Sequence, residues 1–251
     1  MKSAVENFLE FWRRFQLTDP PYVHPEDRGL AQQDDFELNL LPLPVNGNLS
    51  EAECIVLMLN PGLDDEDYVW EEHAAFRSSV TKNLNQAHLA ADYPLLYLDP
   101  AFEQHPGAGY WSRARVPKRP KREQQKLRSL VEGIASRDRA TVAAAQAHVA
   151  RKVAILQLCP YHSTNMSRRD LLSRLPSCQQ ARRLVHQLAT TGEKLIVATR
   201  SVSEWGFSGP VEAESLVVYP GSLGLSASLS LSSAGGAAMF RRISQVPRNR
   251  A

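Results

Sequence analysis

The chain has 251 residues, 43% of them hydrophobic and 22% charged, which is enough to bury one large core or two small ones. A formal net charge of +2 excludes a chain that is basic throughout, so any claim for nucleic acid must rest on local clustering. Three cysteines are too few for a four-cysteine iron–sulfur cluster, and an odd count reads as reduced thiols in a cytoplasmic protein.

The opening "MKSAVENFLEFWRRFQ" interrupts its apolar residues with Glu6, Glu10 and Arg13, so it predicts an amphipathic helix and not a signal sequence. "LTDPPYVHPEDRG" is Pro-rich and predicts an extended connector. Residues 1–50 are thus read as a helix and connector leading into one α/β domain over 1–251. Four apolar runs follow, "CIVLMLN" at 54–60, "VAILQLCP" at 153–160, "KLIVATR" at 194–200 and "SLVVYPG" at 215–221. Continuous runs of this kind predict strands buried on both faces, as in a parallel sheet covered by helices. Helices are predicted over the Ala-rich 136–152 and over 177–194, where Gly192 supplies a cap. The fold class that follows is α/β, a three-layer α/β/α sandwich around a mainly parallel four-stranded sheet.

An insert at 92–128 separates the first two strands. Its aromatic part, with Tyr93, Tyr97, Phe102, Tyr110 and Trp111, predicts a short strand or hairpin packed over something. Its basic part sets Arg113, Arg115, Lys118, Arg119, Lys121, Arg122, Lys126 and Arg128 against one acid, Glu123. A charge run is usually a solvated face, but one this dense in a nearly neutral chain suits phosphate contacts. No apolar run reaches the roughly 20 residues that span a bilayer. A soluble, cytoplasmic, monomeric protein is expected.

Three strand ends carry the chemistry: "LNPGL" at 59–63, "LQLCPYHS" at 156–163 and "VVYPGSLGLS" at 217–226. In order and wide separation they resemble the three signature loops of the uracil-DNA glycosylase superfamily. The first is similar to the Asn-Pro-Gly motif of its mismatch-specific and single-strand-selective branches. The second is similar to an Asn-Leu-Cys-Pro stretch, with Gln157 where the family has its base-reading Asn. The third has Tyr219 where the family has His or Asn, and Leu223 at the position of its Leu.

The resemblance implies a DNA glycosylase, and each residue acquires a role from it. Asn60 would orient the attacking water, with Pro61 and Gly62 fixing the amide and letting DNA approach the backbone. Tyr219 would donate its phenolic hydrogen to the departing base, unless it is only an aromatic plug at a strand end. Leu223 would fill the vacated stack, or else pack inward as an ordinary loop leucine, with Gly221 and Ser222 on phosphates. Gln157 reaches one methylene farther than Asn, which points to a base other than uracil, a modified pyrimidine such as a glycosylated hydroxymethylcytosine. Its alternative is a harmless amide exchange with uracil retained.

Tyr161 and His162 follow the second strand and line the pocket or merely flank it. Tyr68 or Trp70 is the expected stacking aromatic. The acids at 64–67 suit the first turn of a helix. No Cys/His spacing suggests a metal, no cofactor is expected, and no Gly-x-Ser-x-Gly elbow supports a serine hydrolase. No lysine lies in the three loops, so hydrolysis without Schiff-base lyase chemistry is expected. DNA is the expected partner. The rivals are a repair glycosylase for uracil, a non-catalytic DNA-binding module, and a small-molecule enzyme acting on nucleosides.

Overall fold

The strands form where β-branched and aliphatic residues run without interruption, and each stops where a polar residue or proline ends the run. In the computed structural model, which describes residues 2–32, 34–111, 126–166, 168–222 and 228–244, these are β2 (Cys54–Met58), β3 (Val153–Gln157), β4 (Leu195–Ala198) and β6 (Leu216–Val218). All residues of β2, β3 and β4 are buried, so both faces of the central sheet are covered. Two further strands, β1 (Val45–Asn46) and β5 (Val211–Glu212), complete a mixed six-stranded sheet in the order β1-β3-β2-β4-β6-β5. The four longer strands run parallel, and the two short ones close the edges antiparallel. Sequence reading missed β1 and β5. Two residues give no periodicity, and β5 is exposed at both positions.

Nine α-helices lie among the described residues. The first, α1 (Ala4–Trp12), starts at a reciprocal capping box between Ser3 and Glu6. The acids at 64–67 open α2 (Asp65–Glu72) as expected, with Asp64 and Asp67 forming a second capping box. Next comes α3 (Ala74–Asn85), then α4 (Pro106–Trp111). The helix predicted over 136–152 is two helices, α5 (Arg128–Asp138) and α6 (Val142–Lys152). They break at Arg139, which has a left-handed φ of 51°, and Thr141 caps α6 through its side chain. After α7 (Arg169–Arg174), α8 (Pro176–Thr191) starts with proline in its first turn and ends at Gly192, φ 70°. The last is α9 (Ala234–Ile243). Helix α8 packs on α1 and β4, while α9 packs on α5 and on β2, β4 and β6.

The expected strand or hairpin in the aromatic insert is absent from its described part, residues 92–111. It forms two 3₁₀ turns, Leu96–Leu98 and Pro100–Phe102, followed by α4. Pro100 and Pro106 each start one of these elements, a position where the missing N–H costs nothing. Tyr97, Phe102 and Trp111 are buried in the same core as the sheet, so these rings pack as core. Among the described residues no helix is long and apolar enough to cross a membrane.

Candidate active site

Parallel strands end at one edge, and here that edge gathers Asn60 after β2, Gln157 closing β3, Arg200 after β4 and Tyr219 after β6. The first two loops are stitched into one unit. Leu158 and Cys159 donate backbone N–H bonds to Met58 and Leu59, at 3.0 and 2.8 Å. Asn60 Nδ2 donates to the Ser163 carbonyl at 3.2 Å and to Ser163 Oγ at 3.0 Å. A carbonyl only accepts, so this contact fixes which way the amide faces. Asn60 Oδ1 accepts nothing from the described residues, and it is the atom available to hold a water.

His162 stabilises the same turn. It is buried, and its Nδ1 lies 3.0 Å from the Gly62 carbonyl, to which it donates. Burial pushes its pKa down to about 4, against the pull of the Gly62 and Leu41 backbone, so the ring is neutral at pH 7. His162 therefore positions the Asn-Pro-Gly turn, a role that its sequence neighbourhood does not advertise. Gly62 sits at φ 82°, and a Cβ there would meet no atom within 4 Å. The glycine is needed for its backbone angle and leaves an open approach above the turn. Gly62→Ala is expected to cost about 1–2 kcal/mol of stability and to slow any reaction at Asn60, measured by thermal melting and turnover side by side.

Behind the turn, Asp67 accepts the Asp64 N–H at 2.7 Å and lies 3.5 Å from His105 Nε2. His105 Nδ1 accepts the Gly107 N–H at 2.9 Å, so its proton is on Nε2, facing Asp67. Phe76 and Tyr97 stack on this ring at 4.5 and 5.3 Å. Burial raises the Asp67 pKa from 3.8 to about 6, helped by Asp64, Glu71 and Glu66, while burial lowers that of His105 to about 3. A carboxyl with a raised folded pKa adds stability that is full below about pH 4 and lost as pH rises through 6. Wild type minus Asp67→Asn stability is therefore expected to be larger at pH 4 than at pH 7, as denaturant titration at the two pH values would show.

Gln157 is 4% exposed, and its Oε1 is buried with no hydrogen-bond partner. Paired with Met58 across β3 and β2, it shares that residue's face of the sheet. Arg200 reaches the same place. Its Nη2 lies 4.0 Å from Met58 Sδ and donates to the Tyr110 hydroxyl at 2.9 Å. Lys126 is also drawn in, buried with its Nζ 6.0 Å from the Tyr110 ring centre. Burial and then Arg200 push its pKa down to about 8. Arg200 closes the predicted run at 194–200 but was not read as a site residue, and Lys126 was hidden inside a basic run.

Other expected site residues are placed elsewhere or otherwise occupied. Tyr219 gives its hydrogen to the Ser228 carbonyl at 2.6 Å and accepts the Gly235 N–H at 2.9 Å, an arrangement that fits the plug and not the donor. Tyr161 is 1% exposed and donates to Asp27 Oδ2 at 2.5 Å, so it ties the connector to the core and lines no pocket. Trp70 is half-buried, with edge contacts to Phe76 at 5.7 Å and Phe102 at 6.4 Å. Tyr68 is exposed and donates to Glu37 at 2.6 Å, on the segment that pairs with His162. Of the two, Tyr68 presents the more accessible ring. Pro61 is half-buried, and Gly221 and Ser222 are exposed. Leu223, Arg115, Lys118, Arg119, Lys121 and Arg122 lie outside the described residues. A cavity of about 540 Å³ borders the connector at Pro21, Val23, Arg28 and Leu38, and none of the strand-end side chains lines it.

Compared with known proteins, the chain matches no family model, no curated protein and no solved structure.

Proposed function

We propose that the protein is a monofunctional DNA glycosylase that flips a modified pyrimidine out of DNA and hydrolyses its N-glycosidic bond, leaving an abasic site. The observation that carries this reading is the placement at one sheet edge of Asn60, its Nδ2 held by Ser163 and its Oδ1 without a donor among the described residues, with buried Gln157, whose Oε1 has no partner. Flipping costs a few kcal/mol, and a pocket must return this through hydrogen bonds to the base edge, for which an orphaned buried carboxamide is suited. The fold implied is the three-layer sandwich of the uracil-DNA glycosylase superfamily. The parallel order β3-β2-β4-β6, buried on both faces in its central strands, supports it.

A bulky phage-type cytosine, such as a glucosylated hydroxymethylcytosine, is the preferred substrate class, with defence against foreign DNA as its setting. The longer reach of Gln157 supports this over uracil. Incubating the protein with DNAs bearing uracil, mismatched uracil and glucosylated hydroxymethylcytosine, then identifying the released base, tests the choice. Uracil as the best substrate would return the protein to mismatch repair. The committed hydroxyl of Tyr219 favours one rival, a DNA-binding module without catalysis, which predicts binding to all of these DNAs and release from none.

The position of Lys126 makes lyase chemistry testable. Borohydride added to a mixture with abasic DNA is expected to trap no covalent complex. Trapping that is lost in Lys126→Ala would instead make the enzyme a lyase as well.

A further inference from the structure

Breaking the bond between sugar C1′ and base N1 leaves the electron pair on the base, delocalised onto the pyrimidine O2. The water held at Asn60 forms the new bond to C1′ and releases a proton to solvent, and the departed base anion takes one up. The reaction therefore needs a donor aimed at O2, and Tyr219 has no hydrogen to give. We propose that Arg200 is that donor, a catalytic residue that stabilises the base as its negative charge develops. The inference rests on the glycosylase reading of the same site.

Five observations support it. Arg200 follows β4, the strand next to β2 in register through Ala198 and Leu57, so it stands between the Asn60 loop and the Tyr219 loop. Arg200 is half-buried, and its guanidinium contacts a hydroxyl and a thioether, with no carboxylate in ion-pair range among the described residues. A guanidinium has five donors, and a partly desolvated cation without a counter-charge is costly unless its site is meant to receive an acceptor. Across Met58, Gln157 Oε1 is an acceptor without a donor. A ligand that satisfies both must offer an N–H group on one side and a carbonyl or anionic oxygen on the other. A pyrimidine does so, with its N3 or N4 edge toward Gln157 and O2 toward Arg200. Lys126, beside Tyr110, adds positive potential in the same place. Ser201, immediately after Arg200, has a left-handed φ of 54°, a backbone strain of the kind held at functional sites.

The test crosses the protein with the substrate. Release is timed for wild type, Arg200→Lys and Arg200→Gln on DNA carrying the preferred pyrimidine, and on DNA in which its O2 is replaced by sulfur, a poor acceptor. Arg200→Gln is expected to slow release of the normal base by roughly a hundredfold, with partial recovery in Arg200→Lys. The extra loss that sulfur causes in wild type should vanish in Arg200→Gln, because the contact is already gone. Changes in leaving-group acidity are common to all three proteins and cancel. A wild-type rate in Arg200→Gln, or a sulfur penalty as large as in wild type, would overturn the proposal while the glycosylase reading stood. Wild type that releases no base from any DNA would overturn both.

Discussion

Asp27→Ala is expected to lower stability by roughly 2–6 kcal/mol, because it strands two buried donors that each cost about 1–3 kcal/mol when unpaired. Asp27 is 0% exposed, accepts the Tyr161 hydroxyl at 2.5 Å through Oδ2, and accepts the Ser177 N–H at 3.0 Å through Oδ1. It caps the first turn of α8 from a distant segment, at the positive end of the helix. The same hydroxyl of Tyr161 accepts the His24 N–H at 3.2 Å, so one carboxylate joins the connector, the loop after β3 and the start of α8. At about 2–4 °C per kcal/mol for a chain of this size, the melting midpoint should fall by roughly 5–20 °C. Tyr161→Phe keeps the bond from the Ser177 N–H to Asp27 but strands Asp27 Oδ2 and the His24 N–H, so its midpoint should fall as well. Thermal melts of the three proteins check this, and a shift in Asp27→Ala no larger than that of an exposed substitution would refute it.

Asn60→Ala is expected to slow base release by roughly a hundredfold or more, since a catalytic water that loses its anchor loses the geometry for attack. Folding should be affected less than in Asp27→Ala. The side chain is half-buried, and the bonds it gives up go to Ser163, with about 0.5–1.5 kcal/mol typical for each. On the proposed function, binding of substrate DNA should persist, because Asn60 would hold the water and not the phosphates. Timed release and binding measured on one preparation separate these effects. Equal losses of binding and rate would make Asn60 a contact residue and remove its role in water positioning.

The four parallel strands were legible because they are uninterrupted apolar runs, and Gly192 announced the end of α8 because a left-handed residue closes the helix there. The turn at 60–62 was legible for the same reason, through Gly62 at φ 82°. What escaped the sequence were contacts between segments far apart in the chain. Asp27 and Tyr161 are 134 residues apart, and nothing local to either reports their bond. Arg200 and Tyr110 are 90 apart, so the cation at the end of β4 looked like the polar stop of a strand. Tyr219 misled because a tyrosine at a strand end reads equally well as donor or plug, and the carbonyl of Ser228 decides between them only in three dimensions. The break at Arg139 was hidden by the high helix propensity of the alanines that follow it.

On the proposed function, the edge that holds Asn60 and Gln157 hydrolyses a base from DNA. The measurement that tests it most directly is mass spectrometry of the small molecules released by wild type from DNA carrying glucosylated hydroxymethylcytosine, with abasic sites counted in the same tube. Free modified base and abasic sites in equal amounts, both lost in Asn60→Ala, are the predicted result. DNA bound but left intact, or release from free nucleosides and not from DNA, would contradict it.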